Sequence, residues 1–177
     1  QARELLRAAT GGDVGAIRRV RQVSEKTTLS TAQLALAREY GFPSWPRLKV
    51  EVERRRLLDD RNVPGLRTLF AEHPELAVER MEHWCDHRRG ATMLGYIAML
   101  RFDAARMGLA PIHGGTAEVA RLLVAAGAAV EGDTGDVETP LITAASYGDA
   151  DVARVLVEAG ADVDAKAAET GAVPGST

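Results

Sequence analysis

The sequence predicts an all-α protein, a solenoid of stacked helix pairs, and three observations support that prediction. Aromatic residues make up only 5% of the 177 residues, whereas alanine, leucine, valine and arginine are abundant, a composition that favours helices over strands. Two segments, VARLLVAAGAAV at 119–130 and VARVLVEAGADV at 152–163, are near copies offset by 33 positions, from Val119 to Val152. Within each copy the apolar residues recur at helical spacing. A fixed period of this length is typical of repeat proteins, whose units stack side by side.

The second copy completes the most regular unit, which begins at Thr139. Its T-P-L-x-x-A pattern and the 33-residue period resemble the ankyrin repeat. The resemblance implies that Thr139 caps a first helix and that Pro140 occupies its first turn, where a missing N–H costs nothing. Ile142 replaces the family's usual histidine, so we expect this repeat to depend more on apolar packing. The resemblance also implies packed residues on both helices and a left-handed C-cap glycine, namely Leu141, Ala144, Ala145, Val152, Val155, Leu156 and Gly160.

The preceding repeat begins at Thr92, where T-M-L stands in place of T-P-L, and it carries an insertion between its two helices. Thr92 and Val119 are 27 residues apart, whereas Thr139 and Val152 are 13 apart, so the upstream repeat has 14 additional residues, within 99–115. Insertions in repeat proteins lie on one face and often carry the binding function.

The N-terminal half predicts degenerate helical repeats. Residues 4–23 predict a helix, a Gly-Gly-Asp turn and a second helix, and residues 57–77 repeat that arrangement until Pro74 closes the helix. Between them, the segment AREYGFPSWPRLK resembles an N-terminal element of some bacterial, especially actinobacterial, ankyrin-type proteins.

Further helices are predicted within residues 28–56, which contain that element. Ser30 or Thr31 is placed to cap the first of them. Phe42 and Trp45 lie beside a helix start, where large aromatic side chains more often serve packing than ligand binding.

These patterns predict two regions. Residues 1–80 form the degenerate helical region, and residues 81–177 hold the ankyrin repeats, with the insertion at about 99–115, a regular repeat at 137–165 and the start of a further repeat at 166–177. The chain stops where another T-P-L would begin, so we expect the natural protein to continue there. The alternative is that another chain covers the uncapped C-terminal flank by self-association, because the last repeat of an array needs a polar cap.

Composition disfavours several function classes. The net charge of -3 argues against nucleic-acid binding, which needs clustered excess cation. Cys85 is the single cysteine, which excludes an intrachain disulfide and fits a reducing compartment. No apolar run approaches the roughly 18 residues of a membrane span, and no glycine-rich phosphate loop or catalytic-triad pattern appears. We therefore expect a cytoplasmic protein with no cofactor, no nucleic acid and no membrane as a partner.

Residues 73–90 hold the candidate metal ligands and nucleophile. His83 and His87 are four positions apart, so on a helix they would share a face and could hold a metal ion together. No third ligand follows at a fixed offset, so solvated imidazoles are the preferred interpretation and no metal site is predicted. Cys85 would act as a nucleophile only if a neighbouring base activated it, and a buried or incidental thiol is preferred.

The insertion offers one alternative site. Tyr96, Arg101, Asp103, Arg106 and His113 could form a pocket for a small anionic ligand or for acid–base chemistry. The preferred interpretation is that the insertion lengthens the first helix, with Met99, Phe102 and Met107 covering core while Arg101 and Asp103 face solvent.

The resemblance to ankyrin repeats implies recognition of a partner protein on a concave surface made of finger loops and first helices. Carried over by position, the finger residues are Arg88, Arg89, Ala91, Gly135, Asp136 and Glu138. The first-helix residues are Tyr96, Met99, Leu100, Ser146 and Tyr147. Tyr96 and Tyr147 are the preferred anchors, because tyrosine buries a large area at low entropic cost and keeps a polar tip. A pocket-based binder or enzyme and a scaffold or oligomer module remain the alternatives.

Overall fold

The computed structural model describes residues 1–81, 91–134 and 136–167, and this part of the chain is helical. Within it, the only β-type pairing is an isolated antiparallel bridge between Met81 and Ala91. The predicted all-α class is therefore confirmed. The described elements are α1 (Ala2–Thr10), α2 (Val14–Arg21), α3 (Leu29–Glu39), α4 (Trp45–Asp59), α5 (Val63–Glu72), a 3-10 helix (Pro74–Ala77), α6 (Met93–Asp103), α7 (Thr116–Ala125), α8 (Pro140–Ser146) and α9 (Ala150–Glu158). The chain divides into two compact units, residues 1–53 and the residues from 54 onward.

In the first unit, α1, α2 and α3 pack against one another around a core of mostly small apolar side chains. The predicted helix–turn–helix is present in α1 and α2. Gly12, in the turn, adopts a φ of +91°, a conformation that glycine reaches without steric cost. Asp13 caps α2 by accepting a hydrogen bond from the Ala16 N–H at 2.6 Å. Trp45, at the start of α4, packs against the same core, as its position beside a helix start predicted.

The cap of α3 differs from the predicted one. Thr28 is the N-cap, and it forms a reciprocal pair with Thr31, whose N–H donates to the Thr28 hydroxyl at 3.3 Å while the Thr28 N–H donates to the Thr31 hydroxyl at 2.9 Å. Ser30 and Thr31 were the predicted caps. Thr28 replaces them, and Thr31, three positions later, returns the hydrogen bond to the Thr28 N–H and completes the capping box.

In the second unit, consecutive helix pairs stack on one another as an ankyrin-type solenoid. Helix α6 pairs with α7 and α8 pairs with α9, while α6 packs on α8 and α7 on α9, so the two sequence copies lie side by side. Thr139 caps α8 and Pro140 occupies its first turn, as predicted. Gly160 follows α9 with a φ of +93°, the predicted left-handed conformation.

The buried positions of the regular repeat follow the helical period with one correction. Val152, Val155 and Leu156 are buried on α9, as predicted. On α8, Ala144 is buried but Ala145 is exposed. The seven-residue helix buries only the stripe formed by Pro140, Thr143 and Ala144, and a rotation of 100° per residue turns Ala145 away from it.

The insertion divides between a longer helix and a longer connection. Helix α6 has 11 residues against 7 in α8, and residues 104–115 join α6 to α7 where 147–149 join α8 to α9. Two expectations for this segment are wrong. Phe102 is 68% exposed, although it was expected to cover core, and Asp103 is 4% exposed, although it was expected to face solvent.

A buried arginine organises the start of the second unit. Arg54, in α4, is fully buried, and its guanidinium donates to the carbonyl oxygens of Leu76 at 3.0 Å, Glu79 at 2.9 Å and Arg80 at 3.1 Å. These carbonyls lie at the end of the 3-10 helix and just after it, where the backbone has no helical partner to accept from. The guanidinium therefore supplies hydrogen-bond donors to backbone carbonyl oxygens of the segment that leads to the bridge at Met81.

Candidate partner-binding site

An exposed aromatic pair joins consecutive repeats. Phe102 lies near the end of α6, and its ring centroid is 5.4 Å from that of Tyr147, with the ring planes inclined at 47°. Tyr147 is the C-cap residue of α8, so the two rings meet at the C-terminal ends of two neighbouring first helices. A tilted contact at this distance is typical of aromatic pairs. With Phe102 mostly exposed, the pair presents apolar surface to solvent.

Three of the predicted first-helix contacts are buried. Tyr96, Met99 and Leu100 are 0%, 3% and 0% exposed, so their side chains belong to the core and not to a recognition surface. The reason is that α6 packs against α7 and α8 and also contacts α9. The signal was present in the sequence, because a helix that is apolar all round is a buried helix.

Other residues that were predicted to form the recognition surface are either exposed to solvent or held in an ion pair. Glu138 and Ser146 are exposed, and Tyr147 is partly exposed. Asp136 is ion-paired, with one carboxylate oxygen 2.8 Å from the Arg80 guanidinium and the other accepting from the Asp133 N–H at 3.0 Å. Asp136 therefore shapes the loop between α7 and α8 as well as contributing charge. The finger residues Arg88, Arg89 and Gly135 lie outside the described residues.

The residues of the alternative pocket are dispersed between core and solvent. Tyr96 is buried, whereas His113 is exposed and the Arg106 side chain is 61% exposed. Arg106 forms an ion pair with Asp103 at 3.3 Å, and Arg101 contacts acids of the following repeat. This arrangement counts against a pocket that uses Tyr96, Arg106 and His113 together.

A buried carboxylate links three helices near the aromatic pair. Asp149 caps α9 by accepting from the Val152 N–H at 3.2 Å, and its second oxygen accepts from the Thr116 hydroxyl of α7 at 2.8 Å. The Arg101 guanidinium of α6 lies 3.7 Å from the same carboxylate and 3.6 Å from Asp151. Asp149 is fully buried. The network holds neighbouring repeats together at the level where the insertion begins.

The hydrogen-bond partner of Tyr96 is the partly buried carboxylate of Asp59. The Tyr96 hydroxyl forms a very short hydrogen bond to Asp59 at the end of α4, and the Arg55 guanidinium lies 3.4 Å from the same carboxylate. Burial raises the pKa of Asp59 above its ordinary value, although the hydrogen bond from Tyr96 and the charge of Arg55 oppose that increase; the neighbouring Asp60 adds to it. Ionised Asp59 is therefore less favourable in the folded chain than in the unfolded chain.

This shift predicts a specific pH dependence for the Asp59→Asn variant. Because the folded-state pKa is the higher one, the contribution of Asp59 to stability falls as the pH rises from its unfolded-state pKa of about 3.9 through the folded-state pKa. We expect Asp59→Asn, whose amide oxygen can still accept from Tyr96, to be at least as stable as the wild type at pH 7.

The difference between the free energies of unfolding of the two proteins should shrink as the pH is lowered through the folded-state pKa and then below about 3.9, because Asp59 then becomes protonated in both states. Urea unfolding at a series of pH values measures it. Asp60→Asn is the matched control, since the Asp60 side chain is 56% exposed, and it should show no such trend. A difference between wild type and Asp59→Asn that stays constant or widens as the pH is lowered from 7 would contradict the raised pKa of Asp59.

The described residues offer neither a metal centre nor a membrane span. No group of three or more histidine, cysteine, aspartate or glutamate residues within them could hold a metal ion. His83, Cys85 and His87, the candidates from sequence, lie outside the described residues. No helix of the described chain is both long enough and apolar enough to cross a bilayer.

Short helix pairs that repeat at a fixed period and pack on their equivalents define a helical-repeat stack. A family model described as ankyrin repeats (3 copies) matches residues 104–167, about a third of the chain. The matched residues contain α7, α8 and α9 and both sequence copies, so the prediction of ankyrin repeats is confirmed for this stretch. Neither the curated proteins nor the solved structures give a match to the chain.

Proposed function

We propose that this chain is a protein–protein interaction module whose ankyrin repeats recognise a partner through the first helices and finger loops. Ankyrin repeats generally mediate binding between proteins, and residues 104–167 match them. The observation that carries the proposal is the exposed aromatic pair of Phe102 and Tyr147. Aromatic side chains are enriched among the residues that dominate binding energy at protein interfaces.

The pair is difficult to explain by folding alone. Eight of the eleven residues of α6 are buried, yet its one phenylalanine is mostly in water, where its apolar surface is hydrated at a cost. Burying that ring against a partner would recover this free energy. Tyr147 adds a hydroxyl that can form a hydrogen bond to a partner, and the exposed Ser146 and Glu138 add further polar groups.

The proposed surface therefore differs from the one expected from sequence. Phe102 replaces Tyr96, Met99 and Leu100, while Tyr147 stays as an anchor. The finger residues Arg88, Arg89, Gly135, Asp136 and Glu138 stay in the proposal as the polar part of the surface. We infer that this surface is concave from the resemblance to ankyrin repeats.

Two finer proposals accompany this one. We propose that residues 1–80 are degenerate repeats and that the ankyrin repeats proper begin at 81, supported by the helix–turn–helix of α1 and α2 and by the Thr92 cap of α6. We also propose a bacterial, actinobacterial-type protein of the cytoplasm, supported by the AREYGFPSWPRLK segment and the single cysteine.

Capture from a bacterial lysate on the immobilised full chain, followed by affinity measurements with the purified partner, tests the recognition surface. The double variant Phe102→Ser/Tyr147→Ser should weaken binding at least tenfold, since it removes both anchors. Val157→Ser is the matched control, because Val157 on the second helix α9 is also apolar and 46% exposed. Its affinity should match the wild type.

Two outcomes would contradict the proposed surface. A purified partner that binds the double variant as tightly as the wild type would exclude the aromatic pair. If the captured protein is a second copy of this chain and only Val157→Ser abolishes capture, self-association through the C-terminal flank replaces the proposal.

A further inference from the structure

The first compact unit contains a surface groove that plays no part in the proposed recognition surface. It has a volume of about 520 Å³ and lies beside the end of α2 and the second half of α3. Val23, Leu34 and Ala35 supply apolar lining, and Gln22, Arg38 and Glu39 supply polar lining. Volumes of roughly 300 to 1,000 Å³ are typical of small-molecule sites.

The lining is arranged along one face of α3. Leu34 and Ala35 lie about one helical turn before Arg38 and Glu39, so the apolar and charged parts of the groove are separated by about 6 Å along the helix axis. A ligand that lies along α3 would therefore meet apolar side chains at one end and charged side chains at the other.

One of the two charges at the polar end is already neutralised. The Arg19 guanidinium donates to both carboxylate oxygens of Glu39, at 2.7 Å and 2.6 Å. The hydrogen bond from Arg19 holds the pKa of Glu39 below its ordinary value, so Glu39 is ionised and paired. Among the described residues, no ion-pair or hydrogen-bond partner is found for the Arg38 side chain, which is exposed at the rim. Within the described part of the chain, the groove therefore carries one positive charge without a paired anion, beside the apolar side chains of Val23, Leu34 and Ala35.

We propose that this groove binds a small aliphatic monocarboxylate, with its hydrocarbon chain on Val23, Leu34 and Ala35 and its carboxylate on Arg38. Arginine pairs with carboxylates through two parallel N–H···O bonds. A hydrocarbon chain that lies against aliphatic side chains is stabilised because its apolar surface is removed from water. A protein partner is disfavoured by size, because a stable protein interface uses roughly 20 to 30 residues on each side and six line this groove.

Isothermal titration of the full chain with decanoate, below the concentration at which it forms micelles, tests the proposal. We expect saturable binding with one site. Arg38→Gln should weaken it at least tenfold, and decan-1-ol, which keeps the chain but has no charge, should bind at least tenfold more weakly than decanoate. Arg18→Gln is the matched control, since Arg18 is an exposed arginine of the same unit outside the groove, and its affinity should stay within twofold of the wild type.

Three results would overturn the proposal. The first is no saturable decanoate binding to the wild type. The second is an equal effect of Arg38→Gln and Arg18→Gln, which would indicate attraction to positive charge in general. The third is tight binding of a leucine-rich acidic peptide that decanoate does not displace, which would assign the groove to a protein partner. None of these results bears on the aromatic pair of the second unit.

Discussion

Replacing Asp149 by alanine is expected to lower the free energy of unfolding by about 3 kcal/mol. The substitution removes the N-cap of α9, leaves the Thr116 hydroxyl without its buried acceptor and removes one of the two carboxylates near Arg101. Loss of an N-cap costs about 1 kcal/mol, and a buried polar group left without its partner costs about 1 to 3 kcal/mol. Urea unfolding followed by circular dichroism measures the difference.

Asp151→Ala is the matched control for Asp149→Ala. Asp151 also contacts Arg101, but its side chain is 54% exposed, so its ion pairs with Arg101 and Arg154 should contribute less than about 1 kcal/mol. Asp149→Asn should fall between the two alanine variants, because its single amide oxygen can keep one of the two accepted hydrogen bonds. Equal stabilities of Asp149→Ala and Asp151→Ala would show that the buried network does not hold the repeats together.

Replacing Arg54 by leucine is expected to cost about 4 kcal/mol, the largest loss we predict for a single substitution. Substituting an apolar residue for a buried charge can be neutral when both members of an ion pair are replaced. Arg54→Leu replaces only the donor: the backbone carbonyls of Leu76, Glu79 and Arg80, which accept from Arg54, stay in place and lose these hydrogen bonds. Chemical denaturation compares the free energies of unfolding.

Arg56→Leu controls for Arg54→Leu within the same helix. The Arg56 side chain is 57% exposed and pairs with Asp60, so its loss should change stability by less than about 1 kcal/mol. Arg54→Lys should recover only part of the loss, since an ammonium on a shorter arm replaces the planar fork that reaches three carbonyls. If Arg54→Leu is as stable as Arg56→Leu, the three carbonyls find other donors and the proposed role is wrong.

The candidate site was only partly predictable. Tyr147 was identified because the regular repeat keeps its period, so its position at the end of α8 could be carried over from the family. Phe102 was missed because it lies where the insertion breaks the period, and spacing alone does not show which face of the lengthened α6 is covered. Tyr96 was assigned to the surface for a related reason. Its position within the repeat could be carried over from the family, but the sequence did not show that α6 packs against both α7 and α8.

The sequence by itself determined the features that depend on local hydrogen bonds and on periodicity. The Thr139 cap, the left-handed Gly160, the stripe of Val152 and Leu156 and the place of the insertion all involve residues within a few positions of one another. Only the tertiary structure decided which residues are partners across repeats and which side chains remain in water. Thr116 and Asp149 are 33 residues apart, Arg54 reaches carbonyls 22 to 26 residues away, and Phe102 meets Tyr147 across two repeats. Such contacts depend on how the helices stack, and a local sequence pattern does not contain that geometry.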